Sequence, residues 1–365
     1  MEKLFLKKFK VFFEQHESLF TSLTLIGGFI FDYLTLQRVD YLLDNILIIC
    51  YLLVAGGSIL VKNLYETGKF HNKFTNAIYE FLPFTLQFAF GGLFSAFTIF
   101  YSKSASFLST GVFVLILFVL MIGNEFFKKR YQKLVFQIGI YFVAIFSFSI
   151  YFLPVVIKKM GAGVFLLSGA TSVVIISVFI FLIARLAHVQ YRDSKKFIFF
   201  TISGLWVFLN ILYFTNIIPP IPLSLKDGDV YHLVERRSEG GYLVTGEIKK
   251  RWYQNLRLND TIHLVPGEPV YVFSSVFAPT DLNMRVAHNW QYYDERDKNW
   301  VSASKIAFPI KGGRNEGYRG FSTKGNIFTG KWRVDIETER GQVMGRVRFD
   351  IEIVDFPPQL ETRKI

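Results

Sequence analysis

The residues best suited to recognising a ligand lie toward the end of the chain, in "RVAHNWQYYDERDKNW" at 285–300 and "GYRGFS" at 317–322. Trp300, Tyr292 and Tyr293 are flat amphipathic rings, and sugars present C–H faces that stack on such rings. Arg319, with the nearby Asp and Asn side chains, can hydrogen-bond hydroxyl groups. These four residues form the candidate binding site, and a cell-envelope glycan or protein partner is the ligand class they suit. Trp300, beside the acidic "DERD" at 294–297, is the ring expected to be most exposed. Trp290 and Trp332 have alternating neighbours and are expected in a core, while Trp252 and Tyr253 add further rings upstream.

Other chemistries find less support. His232, His263 and His288 are the histidines of this region, and no pair has His-x-His or His-Glu-x-x-His spacing. "DERD" and "DGD", at 227–229, are oxygen-rich, but neither supplies the alternating ligands and terminal bidentate Glu of a calcium loop. The first reads as a solvated hairpin turn. A G-x-S-x-G elbow and a Gly-rich phosphate loop with its Lys are absent from the sequence. No catalytic residue, metal or cofactor is therefore assigned.

These side chains have to be positioned by strands. In "GKWRVDIETERGQVMGRVRFDIEIV", at 330–354, Trp332, Val334 and Ile336 alternate with Arg333, Asp335 and Glu337. Beyond "ERGQ", Val343, Gly345, Val347, Phe349, Ile351 and Ile353 repeat the pattern, as a hairpin with one wet face demands. Further strands are expected at 230–236, 242–250, 261–265, 269–277, 284–293, 299–309 and 317–322. Such a series, with no helical stretch between, predicts an all-β antiparallel sandwich over 230–354, immunoglobulin-like or jelly-roll-like, followed by a tail at 355–365.

Taken in order, the His-x-Trp of "RVAHNW", the aromatic-Arg of "GYRGFS" and the "GKWRV" element resemble the bacterial domain-of-unknown-function family 2914. The similarity covers roughly residues 269–354. It implies a domain carried at the C-terminal end of a multi-span membrane protein and brings no catalytic residues with it.

The first two-thirds of the chain is written differently. Of 365 residues 51% are hydrophobic, and 41 are Phe. Uninterrupted apolar runs occur at 19–37, 41–61, 78–101, 105–125, 134–154, 163–185 and 197–217, each near the ~17–25 residues a helix needs to cross hydrocarbon. A seven-helix transmembrane domain is expected over 19–217, after a basic N-terminal segment, 1–18, that is retained because no small-residue cleavage site follows it. "NIIPPIPLSL" ends the last helix, and 218–229 reads as a stiff Pro-rich linker.

Charge sets the expected orientation. Of the 19 Lys/Arg before residue 223, 15 fall on the N-terminus and the even-numbered connections. Basic residues beside helix ends resist translocation, so that side is expected to be cytoplasmic. An odd number of crossings then leaves the β domain outside the cytoplasm, on a cell inner or plasma membrane. The net charge of +12 is spread over juxtamembrane clusters rather than one patch, which argues against nucleic acid as a partner. The single Cys, Cys50, lies in the second run, so the exported domain holds no disulfide.

Within the spans Asp32, Glu80, Gln87 and Gln137 are the polar candidates, since such groups are costly in lipid. Asp32 and Asp44 lie near outer helix ends, Glu80 and Glu125 near inner ones. Gln87, Gln137 and Asn210 are expected to bridge neighbouring helices by hydrogen bonds, and the glycine pairs 27–28, 56–57 and 91–92 to admit close packing. The leading expectation is a membrane-held module that binds an envelope component or partner. A transporter or lipid-handling protein, with the sandwich as accessory, is the alternative.

Overall fold

The computed structural model describes residues 29–36, 40–68, 73–104, 111–123, 133–220, 222–238, 240–248, 260–279, 282–313 and 317–365. They form two compact units, a helical one that ends at Thr215 and a β-rich one made of Asn216–Ile365 with short pieces from the helical stretch, among them Ile157–Met160.

Seven helical segments occupy the places the apolar runs predict: α1 (29–35), α2 (Leu42–Tyr65), α3 (Lys73–Ser104), α4 (Gly111–Gly123), α5 (Leu134–Ile157), α6 (Ala162–Leu186) and α7 (His188–Phe214). Five of them, in α2, α3, α5, α6 and α7, are long and apolar enough to span a membrane. Residues 19–28 of the first expected span lie outside the described residues, as do both ends of the fourth. The last helix starts at His188 rather than 197, because "HVQYRDSKK" holds no Gly or Pro to stop it. α3 and α5 run unbroken through Pro83 and Pro154.

Large apolar side chains cover the outside of these helices: Leu42, Leu43, Phe197, Phe199 and Phe200 are all exposed. Helices that are apolar all round suit an apolar solvent. Inside, glycine admits rings. A Cβ on Gly92 would stand 2.7 Å from the Tyr51 ring, and one on Gly56 would stand 2.6 Å from Tyr141 Oη, whereas Gly57 faces open space. One member of the 56–57 pair therefore serves packing and the other does not.

Among the described residues the β unit has eleven strands. One sheet runs β1 (Ser224–Tyr231), β5 (Val270–Phe277), β8 (Tyr318–Lys324); a second runs β4 (Asp260–Leu264), β10 (Val343–Ile353), β9 (Gly330–Thr338), β6 (Asn283–Asp294), β7 (Asn299–Lys311). A third runs β11 (Leu360–Lys364), β3 (Tyr242–Glu247), β2 (Leu233–Arg236). The β9–β10 hairpin forms as predicted, with Gly341 at φ 80° and its N–H donating to the Thr338 carbonyl at 2.9 Å.

Three expectations are corrected. The strands are not all antiparallel, because β4 lies parallel to β10, Asp260 opposite Phe349 through Leu264 opposite Ile353. These two strands are far apart in sequence, so no hairpin constrains their direction. Next, the expected linker is strand β1 from Ser224, with "DGD" inside it and Asp229 Oδ1 accepting from the Val230 N–H, so it is not a cation loop. Finally, the expected tail contains β11, a fully exposed strand paired with β3.

One apolar cluster draws Val230, Val270, Val272 and Val276 from the three-stranded sheet and Trp290, Trp332, Val334, Ile336, Phe349 and Ile351 from the five-stranded one. A smaller cluster gathers Tyr231, Val234, Val244 and Phe273, with Tyr242 and Tyr271 against them. Strand β5 thus feeds apolar residues to both faces, which is why it reads as a near-continuous apolar run.

Close approach of β1 to β10 depends on Gly345, where a Cβ would meet Leu225 Cδ2 at 2.1 Å and its Cβ at 2.9 Å. Gly345→Val is expected to lower the unfolding free energy by about 1–3 kcal/mol, the usual cost of overpacking. Denaturation of the detergent-solubilised protein measures it, and an unchanged midpoint would show that Leu225 yields freely.

Candidate functional site

Three side-chain groups in the β unit are arranged well enough to ask what they do. The first is in the core. His288 Nε2 lies 2.8 Å from Ser274 Oγ, His288 Nδ1 lies 2.8 Å from Ser322 Oγ, and Trp290 Nε1 donates to the same Ser322 oxygen at 2.9 Å. His288, Ser274 and Trp290 are fully buried. A neutral imidazole offers one donor and one acceptor, and either tautomer satisfies both serines. Although a histidine beside a hydroxyl is the raw material of a nucleophile, this one is sealed from solvent and from any substrate. It is a satisfied polar network within an apolar core.

The second group joins β3, β4 and β10. Glu247 takes His232 Nε2 at 3.3 Å, His263 Nδ1 at 2.9 Å and the His263 backbone N–H at 2.6 Å. His263 Nε2 also reaches Glu352 at 3.5 Å. Burial pushes the Glu247 carboxyl up, but the hydrogen bonds from His232 and His263 outweigh it and hold the group below its ordinary range. With His288 in the core, the three histidines do not converge, and among the described residues no group of His, Cys, Asp or Glu is arranged to hold a metal ion.

The third group is the outer face of the five-stranded sheet. Since β6, β9 and β10 send Trp290, Trp332 and Phe349 inward, Gln291, Arg333 and Arg348 point outward, and these three stand in register across the strands. Trp300 joins them through an irregularity. Strand β7 pairs Ser304 with Trp290 and then Ser302 with Gln291, skipping Ala303. That bulge reverses the alternation, and Trp300 comes to lie opposite Tyr293 on the outer face. The two rings meet edge-on at 5.4 Å, and the Arg333 guanidinium sits 4.2 Å from the Trp300 ring centre. Arg333 Nε donates to Gln291 Oε1 at 2.8 Å. Lys331 approaches Tyr293 at 5.5 Å and Glu295 at 3.3 Å. Beneath this row Arg346 holds the buried Asp335 with two hydrogen bonds, at 2.5 and 2.7 Å. Partial burial, then the neighbouring Arg346, lowers Arg333 to about 10, so it remains charged at neutral pH.

Of the four predicted site residues the structure brings two together, Tyr293 and Trp300. Tyr292 faces the core, 5.1 Å from Phe328 and 5.7 Å from Trp332. Arg319 belongs to β8 in another sheet, where its carbonyl accepts from Tyr242 Oη at 3.0 Å. Trp300 is half-buried rather than open, because Arg333 covers it. Arg333 is the residue that was missed, and its signal was its outward place in the "KWRVD" alternation. The "DERD" turn forms as expected, with Asp294 Oδ1 accepting from the Arg296 N–H at 2.8 Å. Trp252 and Tyr253 lie outside the described residues.

In the helical unit the polar candidates are dispersed. Gln137 Oε1 accepts from Asn63 Nδ2 at 2.8 Å, a fully buried bridge from α2 to the first turn of α5. Asp32 is buried beside Ser95. Asn210 bonds its own helix at the Trp206 carbonyl instead of bridging. Gln87 is half-buried on α3; the Glu80 side chain lies outside the described residues.

Comparison with known proteins bears on the β unit. The family of proteins of unknown function DUF2914 matches residues 283–351. That span runs from the start of β6 into β10 and contains every residue of the outer-face row. No curated protein matches the chain. Among solved structures, the alkylpurine DNA glycosylase AlkC of Pseudomonas fluorescens, bound to DNA containing an abasic-site analogue, aligns over 78% of this chain and 83% of its own at 10% identity. Its TM-score of 0.22 is too low to carry any argument about fold or ligand.

The core network makes stability pH-dependent. Burial lowers His288 from 6.5 to about 4, so between those values the unfolded chain binds a proton that the folded chain refuses. Stability is therefore full above pH 6.5 and falls by up to about 3 kcal/mol as the pH drops to 4. Unfolding midpoints measured across this window should show that slope, and His288→Ala should flatten it while lowering stability at pH 7.5. A slope unchanged in the variant would assign it to other groups.

Proposed function

We propose that this chain is a multi-pass protein of a cell inner or plasma membrane that holds a β-sandwich outside the cytoplasm, and that the sandwich binds a component of the cell envelope. The reading rests on one observation above all: Tyr293, Trp300 and Arg333, from three strands, meet on the outer face of the five-stranded sheet. Flat rings flanked by hydrogen-bonding groups are what glycan recognition requires. The five long apolar helices with apolar outer surfaces support membrane insertion, and the distribution of Lys and Arg supports the orientation. The intramembrane polar residues support a scaffold rather than a transport path, because Gln137 and Asn210 are spent on local hydrogen bonds.

Two measurements test this. Phe356→Cys, placed on a Cys50→Ser background at a well-exposed site, should react with a membrane-impermeant maleimide in intact cells; protection until lysis would overturn the orientation. The full chain in neutral-lipid nanodiscs should bind isolated envelope glycan, and Trp300→Ala should weaken that binding roughly tenfold, the scale of a lost stacked ring. Equal binding by the variant would remove the outer face from the reading.

A further inference from the structure

On the outer face Arg348 and Arg333 stand directly opposite each other on neighbouring antiparallel strands. Like charges in that position destabilise a sheet, and the charge of Asp335, which does reach Arg333, offsets the repulsion only in part. Asp335 is committed to Arg346, Glu337 to Lys305 and Glu295 to Lys331. Asp350, two residues along β10, makes no ion pair with Arg348 among the described residues. Arg333 has its Nε on Gln291 and its plane against Trp300, an arrangement that fixes the guanidinium and leaves its terminal N–H groups unassigned. Two half-buried guanidiniums held side by side, neither hydrogen-bonded to a carboxylate among the described residues, make a receptor for an oxyanion, whose oxygens can accept from both forks.

We infer that the outer face takes an acidic glycan, with a carboxylate or phosphate of the sugar chain between Arg333 and Arg348 and a sugar ring against Trp300 and Tyr293. This rests on the reading of that face as a binding surface and narrows it to negatively charged sugars. The rings next to the arginines are what favour a sugar over a bare ion or a lipid headgroup, since neither of those presents a face to stack.

The full chain in phosphatidylcholine nanodiscs, titrated with oligogalacturonate and with neutral maltohexaose of equal length, tests the inference. The acidic oligomer should bind at least tenfold more tightly, with affinity falling as salt rises. Arg333→Gln and Arg348→Gln should each erase most of that preference, while Arg348→Lys should retain part of it. Arg348→Gln should melt at the same temperature as the parent or higher, because it relieves the repulsion; a lower melting temperature would mark Arg348 as structural and overturn the inference. Equal binding of both oligomers, with only Trp300→Ala affecting it, would sink the inference and leave the binding reading standing. Binding of neither oligomer, together with a silent Trp300→Ala on envelope glycan, would sink both. If inorganic phosphate or phosphatidylglycerol vesicles compete as well as the acidic oligomer, the occupant is a bare anion or a lipid surface and the sugar is excluded.

Discussion

The pleat of the five-stranded sheet governs everything else in the β unit. Successive side chains on a strand point to opposite faces, so placing Trp290, Trp332 and Phe349 in the core obliges Gln291, Arg333 and Arg348 to face outward. A slip of one residue would bury two guanidiniums and expose two indoles, and each large apolar side chain withdrawn from water contributes about 1.5–3 kcal/mol. The core thereby fixes the outer face without any interaction on that face having to be favourable. The departure from the alternation at Ala303 adds Trp300 to the outer face, and bulges are known devices for re-aiming a side chain.

The helical unit follows a different pattern. Its outer surfaces carry Leu, Ile, Val and Phe, and interior polar groups such as Thr98, Asn63 and Gln137 find partners within one helix or across one contact. Asn63 and Gln137 illustrate how narrow the tolerance is. Both are buried, and each supplies what the other lacks, an amide donor for an amide oxygen. Their position near the end of α2 and in the first turn of α5 puts the bridge toward a helix end rather than at mid-length. Lys62 follows the same logic, its buried ammonium paired with Glu66 one turn along.

What the sequence disclosed and what it withheld divide along physical lines. The apolar runs marked the helices because hydrophobicity summed over some 20 residues is a strong local signal. The hairpin of β9 and β10 was equally visible in its alternation and in Gly341. By contrast, β1 and β11 were hidden: "SLKDGDVY" carries turn residues and "LETRK" is wholly polar, and both become strands only because another strand offers them an edge. The parallel pairing of β4 with β10 was unreadable for the same reason, being a long-range choice. At the candidate site, alternation gave the face of Arg333 but not which strands adjoin. The bulge that delivers Trp300 leaves no mark in composition. Tyr292 was misjudged beside Tyr293 because adjacency in sequence means opposite faces on a strand.

The charge pattern of the outer face is best understood against the stability of what lies beneath it. An opposed pair of like charges costs on the order of 0.2–1 kcal/mol, which the apolar cluster under β6, β9 and β10 outweighs several times over. Asp335 could have relieved the conflict, yet it is buried and bound by two hydrogen bonds to Arg346, and breaking such a pair typically costs about 3–5 kcal/mol. Asp335 is thus held in place by a larger energy than the repulsion it would cure. Folding alone does not require an Arg opposite Arg333, since a neutral residue at 348 would leave the core untouched. The opposed arginines thus lie outside what the packing below them demands.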